Sequence, residues 1–479
     1  MSDSRRPSRT PRTATTLLGS RFGLIATTLL LVACSHRPAY QRPDAGLPAT
    51  WGEPNATSQT EWPDLPWTSL YTDASLQALI QTALARNHDL RLALARIEEA
   101  RALWGIQRAD QAPGVTLGTS HTSARTPPLV QGNSMAINTR RYDIGLNLLS
   151  FELDVWGRVA SLSESARLNF QATQQDQRTL RMTLVSDVAN AYFALLEARE
   201  RLSLLTQTEQ SRHQVHALTE RKRDAGAASE LDVALTLSAL MGVRSELAAT
   251  RRQLEQARNA LNLLVGGSLP ERWVDGLPLT AQNLNLSWGA NLSSQVLLNR
   301  PDVRAAEQRL QAAHANIHAA RTAFFPRLQL TGLVGSASPA LNNLMGGGSQ
   351  AWSFVPSLQA PIFDGGRLDA GVDLAQARHN QWVVNYEKTL QQAFREVADL
   401  LSARDTLGQQ WQAQQATLEA QRERLRLTEI RHRAGAASLL EWLDAQRDAL
   451  TAEQSLLLTR RQWLSATGQL FKALGGGDV

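Results

Sequence analysis

Apolar residues recur in the middle of the chain at Leu184, Val188, Ala191, Leu195, Leu202 and Leu205, at spacings of 4, 3, 4, 7 and 3. Leu390, Phe394, Val397 and Leu401 repeat the 4-3-4 step. This is the pattern of helices paired along a narrow seam. Their other faces, rich in Gln, Arg, Glu and Ser, are left free to line water, whereas a filled bundle would need a wider apolar stripe. The runs that carry these seams, 159–225 and 367–434, are uninterrupted: no proline falls between Pro128 and Pro270, and none follows Pro361. Without the strongest helix breaker, each run predicts one helix, reaching roughly 100 Å at about 1.5 Å per residue.

Other segments follow period two, the mark of strands. Trp352, Phe354, Pro356, Leu358, Ala360 and Ile362 share one face, opposite Ser353, Ser357 and Gln359. Tyr142, Ile144, Leu146 and Leu148 alternate with Asp143, Gly145 and Asn147 until the phase slips at Leu149, which predicts a bulge. Shorter strands begin at Val115 and Leu328. The expected strands are therefore near 115–124, 141–154, 327–336 and 352–363, and helices near 88–111 and 302–323 precede each pair.

The chain is written twice. Ala225-Gly226-Ala227-Ala228-Ser229 recurs as Ala434-Gly435-Ala436-Ala437-Ser438, an offset of 209 at which Gly157-Arg158 also meets Gly366-Arg367. Upstream, Asn87-His88-Asp89 meets Arg300-Pro301-Asp302, and the segment from Pro113 meets that from Pro326, at an offset of 213. The change falls between Pro113 and Gly157, where a loop can absorb it. Each copy runs helix, strand, loop, strand, very long helix, turn and returning helix. The domains expected are a first repeat at 68–265 with its tip turn near 226, a linker at 266–290, a second repeat at 291–472 with its tip turn near 435, and a tail at 473–479.

Strands of about ten residues, apolar on one face and polar on the other, are the signature of a transmembrane β-barrel. Four strands cannot close one, and a membrane forbids open sheet edges. Two copies give eight strands, whose interior side chains nearly fill, while more leave a channel. A homotrimer with twelve strands is the smallest assembly with a pore. The fold class is thus mainly α with a β-barrel: a duplicated strand and long-helix repeat, four strands from each of three protomers, and a long helical tunnel.

Composition sharpens the location. The net charge of +5 is concentrated at the start, where Arg5, Arg6, Arg9, Arg12 and Arg21 face only Asp3 before residue 34. The remainder is nearly neutral with interspersed charges, which is not the clustered footprint of nucleic-acid binding. The apolar stretch Phe22–Ala33 is shorter than the about 20 residues of a bilayer-crossing helix and suits the core of a secretory signal at 1–33. It ends in Leu31-Val32-Ala33-Cys34, and Cys34 is the only cysteine, which excludes an internal disulfide. The tetrapeptide resembles a bacterial lipobox, which implies acylation of Cys34 as the first mature residue. Ser35 in place of aspartate implies sorting to the outer membrane. Residues 34–67 then read as an acylated tether, and acyl chains contribute roughly 0.8 kcal/mol per buried CH₂.

Lipobox, duplicated strand pairs, long helices and the paired Ala-Gly-Ala-Ala-Ser turns together resemble the TolC-type outer-membrane factors, in their lipid-anchored branch from resistance-nodulation-division efflux systems. Phe151-Glu-Leu-Asp-Val-Trp-Gly-Arg158, Pro361-Ile-Phe-Asp-Gly-Gly-Arg367 and Leu440-Glu-Trp-Leu-Asp-Ala-Gln-Arg447 are the most family-like stretches. The resemblance implies a homotrimeric outer-membrane channel, with a barrel in the membrane and a tunnel in the periplasm. It would be the passive exit duct of a pump that expels small amphipathic compounds. It also implies that the turns 225–229 and 434–438 meet a periplasmic adaptor protein, itself joined to an inner-membrane transporter. A periplasmic constriction is implied at Leu440, Asp444 and Arg447, spaced to share one helix face. The first repeat departs there, with Asp232 for Glu441 and Leu235 for Asp444.

No cofactor is expected beyond lipid on Cys34. His314 and His318 stand four apart, a spacing that can hold a metal, but no third ligand is evident and a solvated helix face is expected. No phosphate-binding loop, zinc-protease motif or nucleophile elbow occurs, so no enzyme is expected. Two other readings stay open from the residues: a channel for type I protein secretion, and a lipid-anchored periplasmic coiled-coil scaffold without a pore.

Overall fold

A computed structural model of the chain describes residues 39–44, 46–51, 66–127, 135–270, 273, 276–284 and 292–476. The signal segment, Cys34, most of the tether and parts of the 266–290 linker lie outside the described residues. The described helices and strands, in order, are α1 (Trp67–Leu70), α2 (Ala74–Arg86), α3 (His88–Ala109), β1 (Val115–Thr126), β2 (Ile137–Leu153), α4 (Arg158–Asp224), α5 (Glu230–Val265), α6 (Pro301–Thr322), β3 (Arg327–Ser338), β4 (Gln350–Gln359), α7 (Arg367–Arg433) and α8 (Leu439–Ala473). The duplication is visible in the lengths, since α4 and α7 both have 67 residues and α3 and α6 both have 22. Two compact units emerge, one of Met1–Arg42, Arg101–Leu168 and Leu310–Trp382, the other of Pro43–Ala100, Asn169–Arg309 and Val383–Val479. Each draws chain from both repeats.

The first unit carries a four-stranded antiparallel sheet in the order β1-β2-β3-β4. Strand β2 slips between Leu148 and Phe151 against β3, and Ser150 there has φ 45°. This is the bulge foreshadowed by the phase change at Leu149. Gly145 and Gly335 face each other across β2 and β3, and a Cβ on Gly335 would stand 2.0 Å from the Ile144 carbonyl oxygen. Only glycine permits that approach. Strand β4 ends at Gln359, short of the expected 363, because Pro361 offers no N–H to a ladder. Ile362 and Phe363 beyond it are more than nine-tenths exposed.

Both long helices leave the sheet through aspartate corners. The Asp154 carboxylate accepts the free N–H groups of Val159 and Ala160 at 3.0 and 2.7 Å. Asp364 accepts those of Gly366 and Leu368 at 3.0 and 2.8 Å, so a carboxylate satisfies the free donors at each helix start. Arg158 grips Glu152 through two bonds of 2.9 and 2.7 Å. His314 and His318 are not a solvated face: the His314 ring lies 5.7 Å from that of His379, and His318 Nδ1 is 3.0 Å from Ser161 Oγ. Strand-linked chain brings Ser161 and His379 to this helix, which a helical spacing alone does not reveal.

In the second unit the seam is as predicted for Leu184, Val188, Leu195 and Leu205, all buried. The stripe is wider than a seam over 184–196, however, because Val185, Ala189, Tyr192, Phe193 and Leu196 are buried too. Helix α2 contributes Leu76, Leu79, Ile80 and Ala83 to the same cluster, so this stretch of α4 is covered on a second side. In α7 the buried positions are Tyr386, Leu390, Ala393, Val397 and Leu418. Phe394 instead stacks on Trp51 at 5.1 Å, and its carbonyl accepts Trp51 Nε1–H at 3.1 Å.

A buried polar node pins the described part of the linker. Asp73, 3% exposed, accepts Tyr192 Oη–H at 2.8 Å, Gln282 Nε2–H at 2.5 Å and Leu277 N–H at 3.3 Å. Burial and the neighbouring Asp73 hold the Tyr192 phenol above its ordinary value. The Gln282 carbonyl in turn accepts from Arg460, whose guanidinium sits over the rings of Trp411 and Trp463 at 5.0 and 4.7 Å. Burial holds the Arg460 guanidinium below its ordinary value.

Candidate functional site

The two Ala-Gly-Ala-Ala-Ser segments fold into the same turn, and each residue has a physical task. Gly226 and Gly435 have φ 75° and 74°, the left-handed conformation that glycine adopts without penalty. Gly226 N–H donates to the Arg223 carbonyl at 2.8 Å and Ala227 N–H to that of Lys222 at 2.7 Å. Gly435 and Ala436 do the same to His432 and Arg431 at 3.0 and 2.8 Å. This paired bonding satisfies the last carbonyls of α4 and α7. The serine then starts the next helix. Ser229 Oγ accepts Asp232 N–H at 3.1 Å while the Asp232 carboxylate accepts Ser229 N–H at 2.9 Å. Ser438 and Glu441 make the same reciprocal box at 3.1 and 2.7 Å. Backbone N–H donation, then the serine hydroxyl, holds both carboxyls below the usual carboxylate range. The Asp232 and Glu441 exchange between repeats therefore preserves the cap. Ala225, Ala227, Ala434 and Ala436 are exposed at these turns, with Ala228 and Ala437 half-buried.

The turns differ in one respect that the sequence comparison passed over. His432 stacks on Trp442 with centroids 5.2 Å apart and its Nδ1–H donates to the Ala437 carbonyl at 3.0 Å. The first repeat has Arg223 and Val233 in those places.

Of the three residues assigned to the constriction, Leu440 is half-exposed, and Asp444 and Arg447 pair at 3.0 Å within α8. Arg447 also reaches Asp448 at 3.1 Å, and Asp448 accepts from Arg424 of α7 at 2.7 Å. Arg422 and Glu453 add a second bridge between α7 and α8 at 2.6 Å. Asp448, Arg424, Arg422 and Glu453 were not singled out from sequence, although a signal existed. In an antiparallel helical hairpin, residues equally far from the turn face one another, and Arg424 and Asp448 each lie twelve residues from Ala436. The Arg424 and Arg447 guanidiniums hold the Asp448 carboxyl below its ordinary range, with Arg424 the larger cause.

The first hairpin lacks this acidic partner. Arg212, buried in α4, donates through Nη1 to the Ala239 carbonyl at 2.7 Å. Burial pushes the Arg212 guanidinium down, Glu246 opposes that, and the positive charge of Arg447 adds to it. Arg447 thus stands between two carboxylates and the field of another arginine. Among the described residues no three His, Cys, Asp or Glu side chains converge as metal ligands, and no helix is long and apolar enough to cross a membrane.

The sheet has two chemically distinct faces. On one lie Val115, Leu117, Ile144, Leu146, Leu148, Val334, Trp352, Phe354 and Leu358, related by the ladder register. The other carries Thr116, Ser120, Asp143, Asn147, Gln329, Ser353 and Ser357. Trp352, Leu117 and Leu358 are 78%, 72% and 70% exposed, far beyond what an apolar side chain in water warrants.

These features belong to one class of protein, an outer-membrane channel built from a repeated strand-pair and helix unit. The chain is a member of the outer membrane efflux protein family, whose profile matches residues 79–267 and 292–476. The two matched segments begin 213 and end 209 residues apart, the offsets at which the sequence repeats itself. Outer membrane protein OprJ of Pseudomonas aeruginosa is 40% identical over 459 residues, covering 95% of this chain and 96% of that protein. The toluene efflux pump outer membrane protein TtgC of Pseudomonas putida is 38% identical over 463 residues, covering 96% of each. The crystal structure of the open state of the Neisseria gonorrhoeae MtrE outer membrane channel superposes with a TM-score of 0.82 at 34% identity, covering 93% of this chain and 98% of that one.

Proposed function

We propose that three copies of this chain form a passive, non-enzymatic duct through the outer membrane, the exit of a tripartite pump that expels small amphipathic compounds. The observation that carries this reading is the sheet. One face is apolar and exposed, the other polar, and β1 and β4 are left as open edges. Lipid satisfies the first face, water the second, and the matching edges of further copies the third requirement. Pairing β4 of one copy with β1 of the next repeats three times to give twelve strands. Membership of the efflux family and likeness to OprJ, TtgC and the MtrE channel support the same reading.

Within it, the exposed turns around Gly226 and Gly435 form the periplasmic tip and receive the hairpins of an adaptor protein, which links the duct to an inner-membrane transporter of the resistance-nodulation-division class. Leu440, Asp444 and Arg447 line the constriction, where threefold symmetry brings three copies of Asp444 together and favours cations. Lipid on Cys34 anchors the chain. The purified full chain, reconstituted in planar bilayers, is expected to conduct in steps and to run as a trimer by light scattering in detergent. A stable monomer without conductance overturns the reading.

A further inference from the structure

The apolar face of the sheet does not stay apolar. Following the ladder, its rows run from Leu153, Leu328 and Leu358, through Leu148 and Phe354, to Leu117, Leu146, Val334 and Trp352, and then to Ile144 and Ser336. The next row is His121, Tyr142 and Ser338, with the His121 and Tyr142 rings stacked 4.3 Å apart. Beyond it the same face carries Arg140 opposite Ser123, then Arg125 opposite Asn138. These rows lie at the end of the sheet remote from the starts of α4 and α7, where the strands turn back through loops. No acid occupies this face of β1 or β2, because Asp143 points to the other one and is held there by Arg141 at 2.8 Å. Arg125 and Arg140 are exposed and form no ion pair among the described residues.

The dimensions place the arginines. From Leu328 to Ser338 the strand advances about 34 Å, or roughly 26 Å along a barrel axis tilted by about 40°. That equals the apolar band of roughly 25 Å that such barrels present to hydrocarbon. The His121–Tyr142 row therefore marks the interface, where amphipathic rings settle. Arg140 and Arg125 lie roughly 5 and 10 Å beyond it, at headgroup depth. Arg125 and Arg140 are diagonal neighbours across the ladder, about 7–8 Å apart, close enough for two guanidiniums to converge on one anion. A planar guanidinium fork matches phosphate geometry.

We propose that Arg125 and Arg140, with His121 and Tyr142 beneath them, form a binding site for the phosphate of a phosphorylated lipid in the leaflet at the loop end of the barrel. This rests on the membrane reading above, which puts that end outside the cell and identifies the occupant as an outer-leaflet lipid. A phosphate set directly above acyl chains satisfies both halves of the site at once: chains lie on Leu117, Leu146 and Trp352, and the anion meets the arginines. Three copies give three such sites around the barrel. Arg141, one residue away but on the polar face and already paired, takes no part.

The test uses the full-length trimer in detergent with diphosphoryl lipid A as probe, read by native mass spectrometry as lipids retained per trimer. The double variant R125Q/R140Q is expected to bind at least tenfold more weakly, R125K/R140K, which keeps the charge but not the fork, to recover only part of the affinity, and R141Q to match the parent. Binding should weaken as ionic strength rises, and inorganic phosphate at equal concentration should not displace the lipid. Equal retention by R125Q/R140Q, or equal binding of a dephosphorylated lipid A, overturns the proposal. Planar-bilayer conductance of the same samples separates the two readings: a conducting trimer with unaltered lipid retention refutes the lipid site alone, whereas a non-conducting monomer refutes the channel. Should R125Q/R140Q fail to assemble, the salt dependence of the parent and the R125K/R140K variant decide the outcome.

Discussion

Gly226 and Gly435 each stand two residues past the end of a 67-residue helix and stop it, because the left-handed backbone there lets two N–H groups close on the preceding turn. Gly435→Ala keeps the bonds but forces a Cβ into positive φ, a cost of about 1 kcal/mol. Amide exchange at Ala436 is expected to quicken about fivefold, since 1 kcal/mol corresponds to that factor near room temperature. The capping boxes add a pH dependence. Asp232 and Glu441 have folded values below their ordinary ones, so the folded box binds fewer protons than the unfolded chain. Its stabilisation is present in full above the ordinary carboxylate range and is lost as the pH falls from there through the depressed folded values. Tip amide protection, with exchange corrected for its intrinsic pH dependence, should therefore fall as the pH drops below the ordinary carboxylate range, and S229A/S438A should flatten that profile. Asp444 is tested separately: if it lines the proposed constriction, D444A removes one carboxylate per copy there and is expected to raise single-channel conductance. Identical conductance removes Asp444 from the gate. The pairing of Arg447 with both Asp444 and Asp448 predicts that D448A, which also frees Arg424, opens the tip further than D444A.

Elements here are decided by what covers them. The narrow seam read along α4 is correct at Leu205 but too narrow at Val185 and Phe193, since α2 and α8 pack on the same stretch. The period of α4 shows which residues face a neighbour, not how many neighbours there are. The linker illustrates the same limit. Nothing in its composition announces that Gln282 reaches a buried carboxylate 209 residues earlier. Asp73→Ala would leave the Tyr192 hydroxyl without its acceptor and remove one of the two bonds of the Gln282 amide, which also donates to the Leu277 carbonyl. The expected loss is about 2–3 kcal/mol, from unsatisfied buried groups, read as a lower thermal midpoint of the full chain. Tyr192→Phe removes one bond and should cost about 1 kcal/mol.

At the scale of the whole molecule the decisive property is incompleteness. A sheet with an apolar exposed face and two free edges is unstable alone in water or lipid, so assembly and membrane insertion are coupled. Anchoring is a separate matter. Cys34→Ser is expected to leave a folded chain that is recovered poorly in outer-membrane fractions, and unchanged fractionation removes the lipid from the account. The family profile matching in two segments agrees with a channel wall assembled from six similar repeats in three copies.

Periodicity, the absence of proline and the two offsets of self-similarity determined which segments are helix or strand, that the plan is duplicated, and where the turns lie. Those properties are local: a 3.6- or 2-residue repeat and a glycine before a serine-led cap act within a few residues of chain. Tertiary structure decided the rest. It brought Gln282 to Asp73, Arg460 onto Trp411, and Ser161 to His318, because partners dozens to hundreds of residues apart meet only after the helices have packed and the ladder has set its register.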